Sequence, residues 1–176
     1  MTADEFLVWA MDQPGRHELA DGEVVAMAPE RVAHAEAKAA IWLAMRNAIR
    51  SAGLRCQALP DGVSLRVDEA TVFEPDASLR CGDPLPKDAI EFSDPVVVVE
   101  VLSQSTRAYD LGGKLEAYFR LASVRHYLIV KTDTRTIIHH ARAEDGSIST
   151  RIVSEGSLTL DPPGIAFPTA EVFPGD

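Results

Sequence analysis

The chain lacks most of the signals that assign a sequence to a class at sight. No window in its 176 residues approaches the ~18 uninterrupted apolar residues of a membrane span. The N-terminal MTADEFLVWAMDQ is acidic where a secretion signal is basic, so the cytoplasm is the expected location. Cysteine is scarce. Cys56 and Cys81 stand 25 positions apart without a CxxC pair, which argues against zinc ribbons and redox motifs and leaves two reduced, structural cysteines as the expectation. Basic residues are in deficit, with 17 Lys+Arg against 27 Asp+Glu and a formal charge of −10. Indiscriminate nucleic-acid binding is thereby disfavoured, because neutralised phosphates supply most of that affinity. A local basic groove, or an acidic cluster that holds a cation, is not.

Several catalytic motifs are missing too. There is no GxSxG, so a serine nucleophile has no support. DLGGK lacks the spacing and following Ser/Thr of a phosphate loop, and the HAE at 34–36 lacks the downstream PCxxC of a zinc deaminase. His139 and His140 are adjacent on an expected strand, so they point to opposite faces and cannot chelate together. Repeats, low-complexity tracts and long charge blocks are absent.

What remains is an ordinary globular composition, 46% apolar, in a chain one domain long. Residues 1–176 are expected to form a single domain that buries about two-thirds of its unfolded surface. Ala3 to Met11 reads as a short helix capped by Thr2, followed by a hairpin around Asp21-Gly22. Glu30 to Ala52 reads as a long helix, with Ile41, Met45, Ala48 and Ala52 at helical spacing and Gly53 as its stop. LRCQAL and VSLRV flank Pro60-Asp61-Gly62 and are expected to pair as a hairpin leading into EPDASLRC.

After a proline-bearing loop comes VVVVEVL, a strand with apolar neighbours on both faces. A second helix runs from about Asp110 to Leu121, then RHYLIVK, TIIHHAR and SISTRIV read as strands, and the proline-rich end as edge or coil. Strands with two interposed helices indicate an α/β (α+β) fold, a mixed sheet flanked by helices, not a doubly wound nucleotide fold.

The chemistry concentrates where acids meet these strands. Asp76 follows Pro75 at the start of one strand and Glu100 closes the valine strand, so pairing the two brings both carboxylates to one edge. Two convergent hard oxygen ligands suit Mg²⁺ or Mn²⁺, with the Val101 carbonyl as a third. The alternative has Asp76 capping a turn and Glu100 in solvent. Lys114 shares a helical stripe with Leu111, Tyr118 and Leu121, which lays its stem along the buried face. Its ammonium then either pairs with an anion such as Glu100 or snorkels to water. Glu18, just before Asp21-Gly22, and His34, seven residues before Ile41, can face the same cleft. A histidine so placed is also an ordinary packed residue.

HELADGEVVAMAP, a helix carrying His34, EPDASL, VVVVEVLSQST, then Asp110, Lys114 and Tyr118, and finally SVRHYLIV together resemble, in order, the Uma-two family of bacterial proteins, which is placed among the PD-(D/E)xK nucleases. The resemblance spans roughly residues 3 to 173. It implies a restriction-endonuclease-like domain, a central mixed β-sheet flanked by helices. It also implies that Asp76 stands for the superfamily aspartate, Glu100 for its second acid, Glu18 for the acid ahead of the Asp-Gly turn, and Lys114 for the helix lysine. The superfamily's lysine two residues after the second acid is replaced here by Leu102.

The expectation is a Mg²⁺- or Mn²⁺-dependent endonuclease hydrolysing phosphodiester bonds of nucleic acid, with DNA as substrate. Asp76 and Glu100 would hold the metal, Lys114 and Glu18 would assist catalysis, and His34 would lie at the rim. The alternative is a catalytically inactive module that keeps the fold and binds nucleic acid or protein. A homodimer would double a modest basic face drawn from Arg46, Arg50, Arg55 and Arg107.

Overall fold

The computed structural model describes residues 1–102 and 108–173, with the backbone alone for residues 108–111. The loop SQST, Arg107 and the side chain of Leu111 therefore lie outside the described residues. Helix α1 (Ala3–Ala10) starts at Thr2, whose hydroxyl accepts from the Glu5 amide while the Glu5 carboxylate accepts from the Thr2 amide. Strands β1 (His17–Ala20) and β2 (Glu23–Ala26) form the expected hairpin, with Asp21 and Gly22 both at positive φ as a primed turn requires. Helix α2 (Val32–Ala52) stops at Gly53 in the left-handed conformation, φ 65°.

The chain then runs through β3 (Cys56–Pro60), β4 (Ser64–Asp68), β5 (Thr71–Phe73), β6 (Ala77–Cys81), β7 (Glu91–Phe92) and β8 (Val97–Leu102). Helix α3 (Ala108–Arg120) leads to β9 (His126–Lys131), β10 (Thr136–Arg142), β11 (Ile148–Val153), β12 (Ser157–Leu160) and β13 (Ile165–Pro168), followed by a 3₁₀ turn at Thr169–Val172. The larger sheet has the order β11-β10-β9-β8-β6-β3 and is mixed, because β8 and β9 run parallel while β6 and β8 run antiparallel. A second sheet has the order β2-β1-β5-β4-β7, and β12 pairs with β13. The fold is the expected mixed sheet with flanking helices. Among the described residues no helix is long and apolar enough to cross a membrane.

Three local expectations need correction. β3 and β4 do not pair as a hairpin: β3 pairs with β6 and β4 with β5 and β7, so the Pro60-Asp61-Gly62 turn passes the chain from one sheet to the other. Cys56 and Cys81 are not two free thiols. They are register partners across β3 and β6, and a disulfide joins them. The proline-rich end is an ordered hairpin whose Leu158, Leu160, Ile165 and Phe167 enter the core, so the prolines occupy its turn and rim.

Strand alternation divides the larger sheet into two faces. Val97, Val99 and Val101 pack with Leu79, Leu128 and Val130 beneath Ala37, Ile41, Ala44, Met45 and Ala48 of α2. Val98 faces the other way, with Ile129 and Tyr127 of β9, toward Tyr118 of α3 and toward Leu65 and Phe73 of the second sheet. Glu100, two residues on from Val98, shares this second face.

A chain of four groups ties the C-terminal hairpin to the larger sheet. Arg151 Nε donates to His139 Nδ1 at 3.0 Å, His139 Nε2 lies 2.9 Å from His126 Nδ1, and His126 Nε2 lies 2.8 Å from the Pro162 carbonyl. Arginine cannot accept and a carbonyl cannot donate, so the direction is fixed. Each ring carries its proton on Nε2, and both are neutral. Burial holds both histidines below their ordinary range, with His139 at about 3. An unfolded chain takes up these protons near pH 6.5, so this stabilisation is complete above that value and is lost as pH falls toward 3. In urea melts, the wild type should lose roughly 1–2 kcal/mol more than His139→Asn between pH 7 and pH 5. Equal losses would show that the chain carries no linked stability.

Candidate active site

Glu100 is buried because its strand is buried. It continues the face of Val98 and leaves only 8% of its surface exposed, so the alternative of a solvent-facing carboxylate is excluded. An unpaired charge there would cost several kcal/mol, and α3 supplies the compensation. Lys114 Nζ lies 3.1 Å from Glu100 Oε1, and Tyr118, one helical turn further on, donates its hydroxyl to the same oxygen at 2.5 Å. Lys114 also reaches Glu18 Oε1 at 2.9 Å and lies over the Phe73 ring at 5.2 Å. At 7% exposure it does not snorkel. Glu18 arrives from the second sheet, where the same Oε1 accepts the Glu74 amide at 2.9 Å.

Asp76 stands just before β6. The pairs Ala77↔Val99 and Ser78↔Val98 run antiparallel, so continuing the ladder by one residue sets Asp76 opposite Glu100. Its carboxylate takes over where the backbone ladder ends: Oδ2 accepts the Val101 amide at 2.6 Å. Val101 thus presents its N–H to Asp76. His34 Nε2 lies 3.4 Å from the same Oδ2, and Lys38 Nζ lies 3.0 Å from Oδ1. The geometry therefore joins Asp76 to Glu100 on one side and to α2 on the other. His34 touches the acid directly instead of only flanking it.

Lys38 is the residue that sequence reasoning missed. It is 4% exposed and also contacts Glu30 at 2.5 Å and Asp61 at 2.7 Å. Arg16 contacts those same two acids and Glu74. The signal was legible in principle: His34, Lys38 and Trp42 recur every four residues, a polar stripe beside the Ala37-Ile41-Met45 core stripe. With Glu30, Pro60, Asp61 and Asp76, Lys38 and Trp42 line a cleft of about 160 Å³. Arg46 stacks over Trp42 at 5.2 Å, Arg50 is exposed at the end of α2, and Arg55 is paired with Asp83.

The electrostatics divide the two central acids. Burial pushes Asp76 up, but the His34 hydrogen bond, the Lys38 charge and the Val101 amide outweigh it and hold the carboxyl below its ordinary range. Burial pushes Glu100 up to about 7; Lys114 and Tyr118 oppose the rise, while the charges of Asp76 and Glu18 add to it. Tyr118 is raised well above its ordinary value by burial and by Glu100, so it stays a donor.

Counting the network, Glu18, Glu30, Asp61, Glu74, Asp76 and Glu100 outnumber Arg16, Lys38 and Lys114. These are hard oxygen donors, and both cysteines are tied in the disulfide. Such a donor set fits Mg²⁺ or Mn²⁺ and not a thiophilic metal. Among the described residues, Glu30, His34 and Asp76 offer ligand atoms that all lie within 4.8 Å of one another.

Because the folded-state value of Glu100 lies above its ordinary 4.5, the folded chain holds that proton more tightly than the unfolded one. The associated stability is present below pH 4.5 and is lost as pH rises through about 7. In metal-free urea melts, the wild type should lose on the order of 2 kcal/mol between pH 5 and pH 8 through this group, and Glu100→Gln should abolish that loss. A variant less stable than the wild type at pH 8 would mean that Lys114 depends on the Glu100 charge more than burial opposes it.

Similarity to known proteins follows the same boundaries. The model of the Uma2 family, described as "Putative restriction endonuclease", matches residues 3–169. The "uncharacterized protein slr1290" of Synechocystis is 27% identical over 178 residues, covering 99% of this chain and 92% of its own length. A crystal structure from Anabaena variabilis, of a "putative nuclease belonging to DUF820", superposes with a TM-score of 0.79 at 13% identity, covering 98% of this chain and 97% of the other. At that identity the likeness is one of fold.

Proposed function

The chain belongs to the Uma2 family, and on that premise we propose that it is a divalent-metal-dependent nuclease that hydrolyses phosphodiester bonds, with DNA as substrate and residues 1–176 as one catalytic domain. The observation that carries this reading is the register of β6 and β8. It sets Asp76 opposite Glu100 at a buried sheet edge where carboxylates exceed cations. Asp76 and Glu100 would hold Mg²⁺ or Mn²⁺. When bound, such an ion neutralises charge developing on a phosphate and makes water acidic enough to act as the nucleophile.

The remaining tasks fall to the chain's own groups. Lys114, held between Glu18 and Glu100, directs its positive charge to the face where a phosphate would meet the acids. Glu18 serves as a further ligand or takes the proton from water, since its oxygen is already positioned by the Glu74 amide. His34 orients Asp76 from the rim. Arg46 and Arg50 lie on the same helix as His34 and offer exposed charge for a nucleic-acid backbone, and a two-fold dimer would double it.

Manganese titration of the wild type should give a binding signal that Asp76→Ala abolishes. Metal-dependent cleavage should fall by about 10²-fold or more in Asp76→Ala and Glu100→Gln. Wild-type protein that cuts neither duplex DNA, single strands nor RNA at any Mg²⁺ or Mn²⁺ concentration would leave the inactive module as the better reading.

A further inference from the structure

Lys38 holds no part of a substrate in the proposed reaction, yet its ammonium is buried among acids as a bound cation would be. A lysine on a helix beside a cleft ordinarily extends its head into water. This one is 4% exposed and has Glu30, Asp61 and Asp76 within 3.0 Å of Nζ. Simple pairing does not require it, because Arg16 already contacts Glu30 and Asp61, and Asp76 already has the Val101 amide and His34. What Lys38 adds is a positive charge on Asp76 Oδ1, the oxygen that does not accept from Val101.

That position matters for a phosphodiester-cleaving site. In two-metal sites one acid is shared by two cations about 3.5–4 Å apart. Here Asp76 Oδ1 is in contact with an ammonium, and the surrounding Glu30, His34 and Asp76 ligand atoms, within 4.8 Å of one another, form a donor set for an ion. Glu30 and Asp76, with Lys38 and Asp61, border the cleft of about 160 Å³, so solvent and ions have a route to them.

We propose that Lys38 is the built-in second cation of this site: its ammonium, seated among Glu30, Asp61 and Asp76, takes the place of a second divalent ion and limits the chain to one. The proposal rests on the reading that Asp76 holds a metal, and it makes Lys38 a positioning residue that acts through Asp76.

The test is Mn²⁺ stoichiometry on the intact chain, by calorimetry and by loss of the free-ion electron paramagnetic resonance signal. The wild type and Lys38→Arg should each bind one ion. Lys38→Met should bind two, and Lys38→Met combined with Glu30→Gln should return to one. A purely structural lysine would change stability and leave stoichiometry alone. One ion in Lys38→Met, at wild-type affinity, therefore overturns the proposal while leaving the nuclease reading intact. No ion in the wild type but one gained in Lys38→Met supports the role of Lys38 and defeats the metal-dependent reading; no ion in either defeats both. Should Lys38→Met fail to fold, the wild type decides: an isolated-ion Mn²⁺ spectrum at saturation supports the proposal, and a spin-coupled pair overturns it.

Discussion

The hydrogen bond from the Val101 amide to Asp76 Oδ2 is the contact on which the site depends. At the end of a strand ladder a backbone N–H must find a partner or lose about 1–3 kcal/mol. Asp76 provides that partner with a side chain, so one carboxylate both completes the β6–β8 pairing and stands at the edge of the sheet. Its position is set where that ladder ends, one residue before β6, by the Val101 amide it accepts. Everything else arranges itself around that charge: His34 and Lys38 approach from α2, and Glu100 lies across the ladder.

Glu100 and Asp76 show how one sheet yields two differently tuned acids. Asp76 sits where the ladder ends and the α2 cations begin, so charge partners outweigh its burial. Glu100 lies inside a strand of valines, on the face closed by Tyr118 and Tyr127, and desolvation outweighs Lys114. The valines are the reason for the second case. Each buried valine stabilises the fold by about 1.5–3 kcal/mol, so the strand keeps its place even though one of its residues is electrostatically strained. The fold can thus hold an acid under conditions that the acid alone would not tolerate.

How much of this was readable in the sequence depends on whether the signal was local. The valine run, the Asp21-Gly22 turn and the Lys114-Tyr118 spacing each follow from side-chain period or turn chemistry, and each stands where its pattern places it. Pro60-Asp61-Gly62 is a real turn, but a turn does not say which sheet receives the next strand, and β4 goes to the other one. The Cys56–Cys81 bond depends on the pairing of β3 with β6, which 25 residues of separation conceal. Lys38 was hidden differently. Its helical spacing was visible, but its acids come from three separate places, at Glu30, Asp61 and Asp76. A buried cation is recognised by its surroundings, and those exist only after folding.

Leu102 brings the local and the non-local together. It stands two residues after Glu100, so strand alternation gives both the same face, and Leu102 packs with the apolar residues beneath α3. A lysine at 102 would have to send its charge across that apolar surface to reach the acids. Lys114 descends onto the same face from above, with its stem along the α3 stripe and its ammonium already between Glu18 and Glu100. The cation can therefore leave the strand without leaving the face, and the vacated strand position becomes free for packing. This also links the two sheets, because Glu18 belongs to the smaller and Glu100 to the larger. Lys114 adds charge to the apolar contact that Val98 makes with Leu65 and Phe73, so the arrangement that would serve catalysis also ties the second sheet to the first.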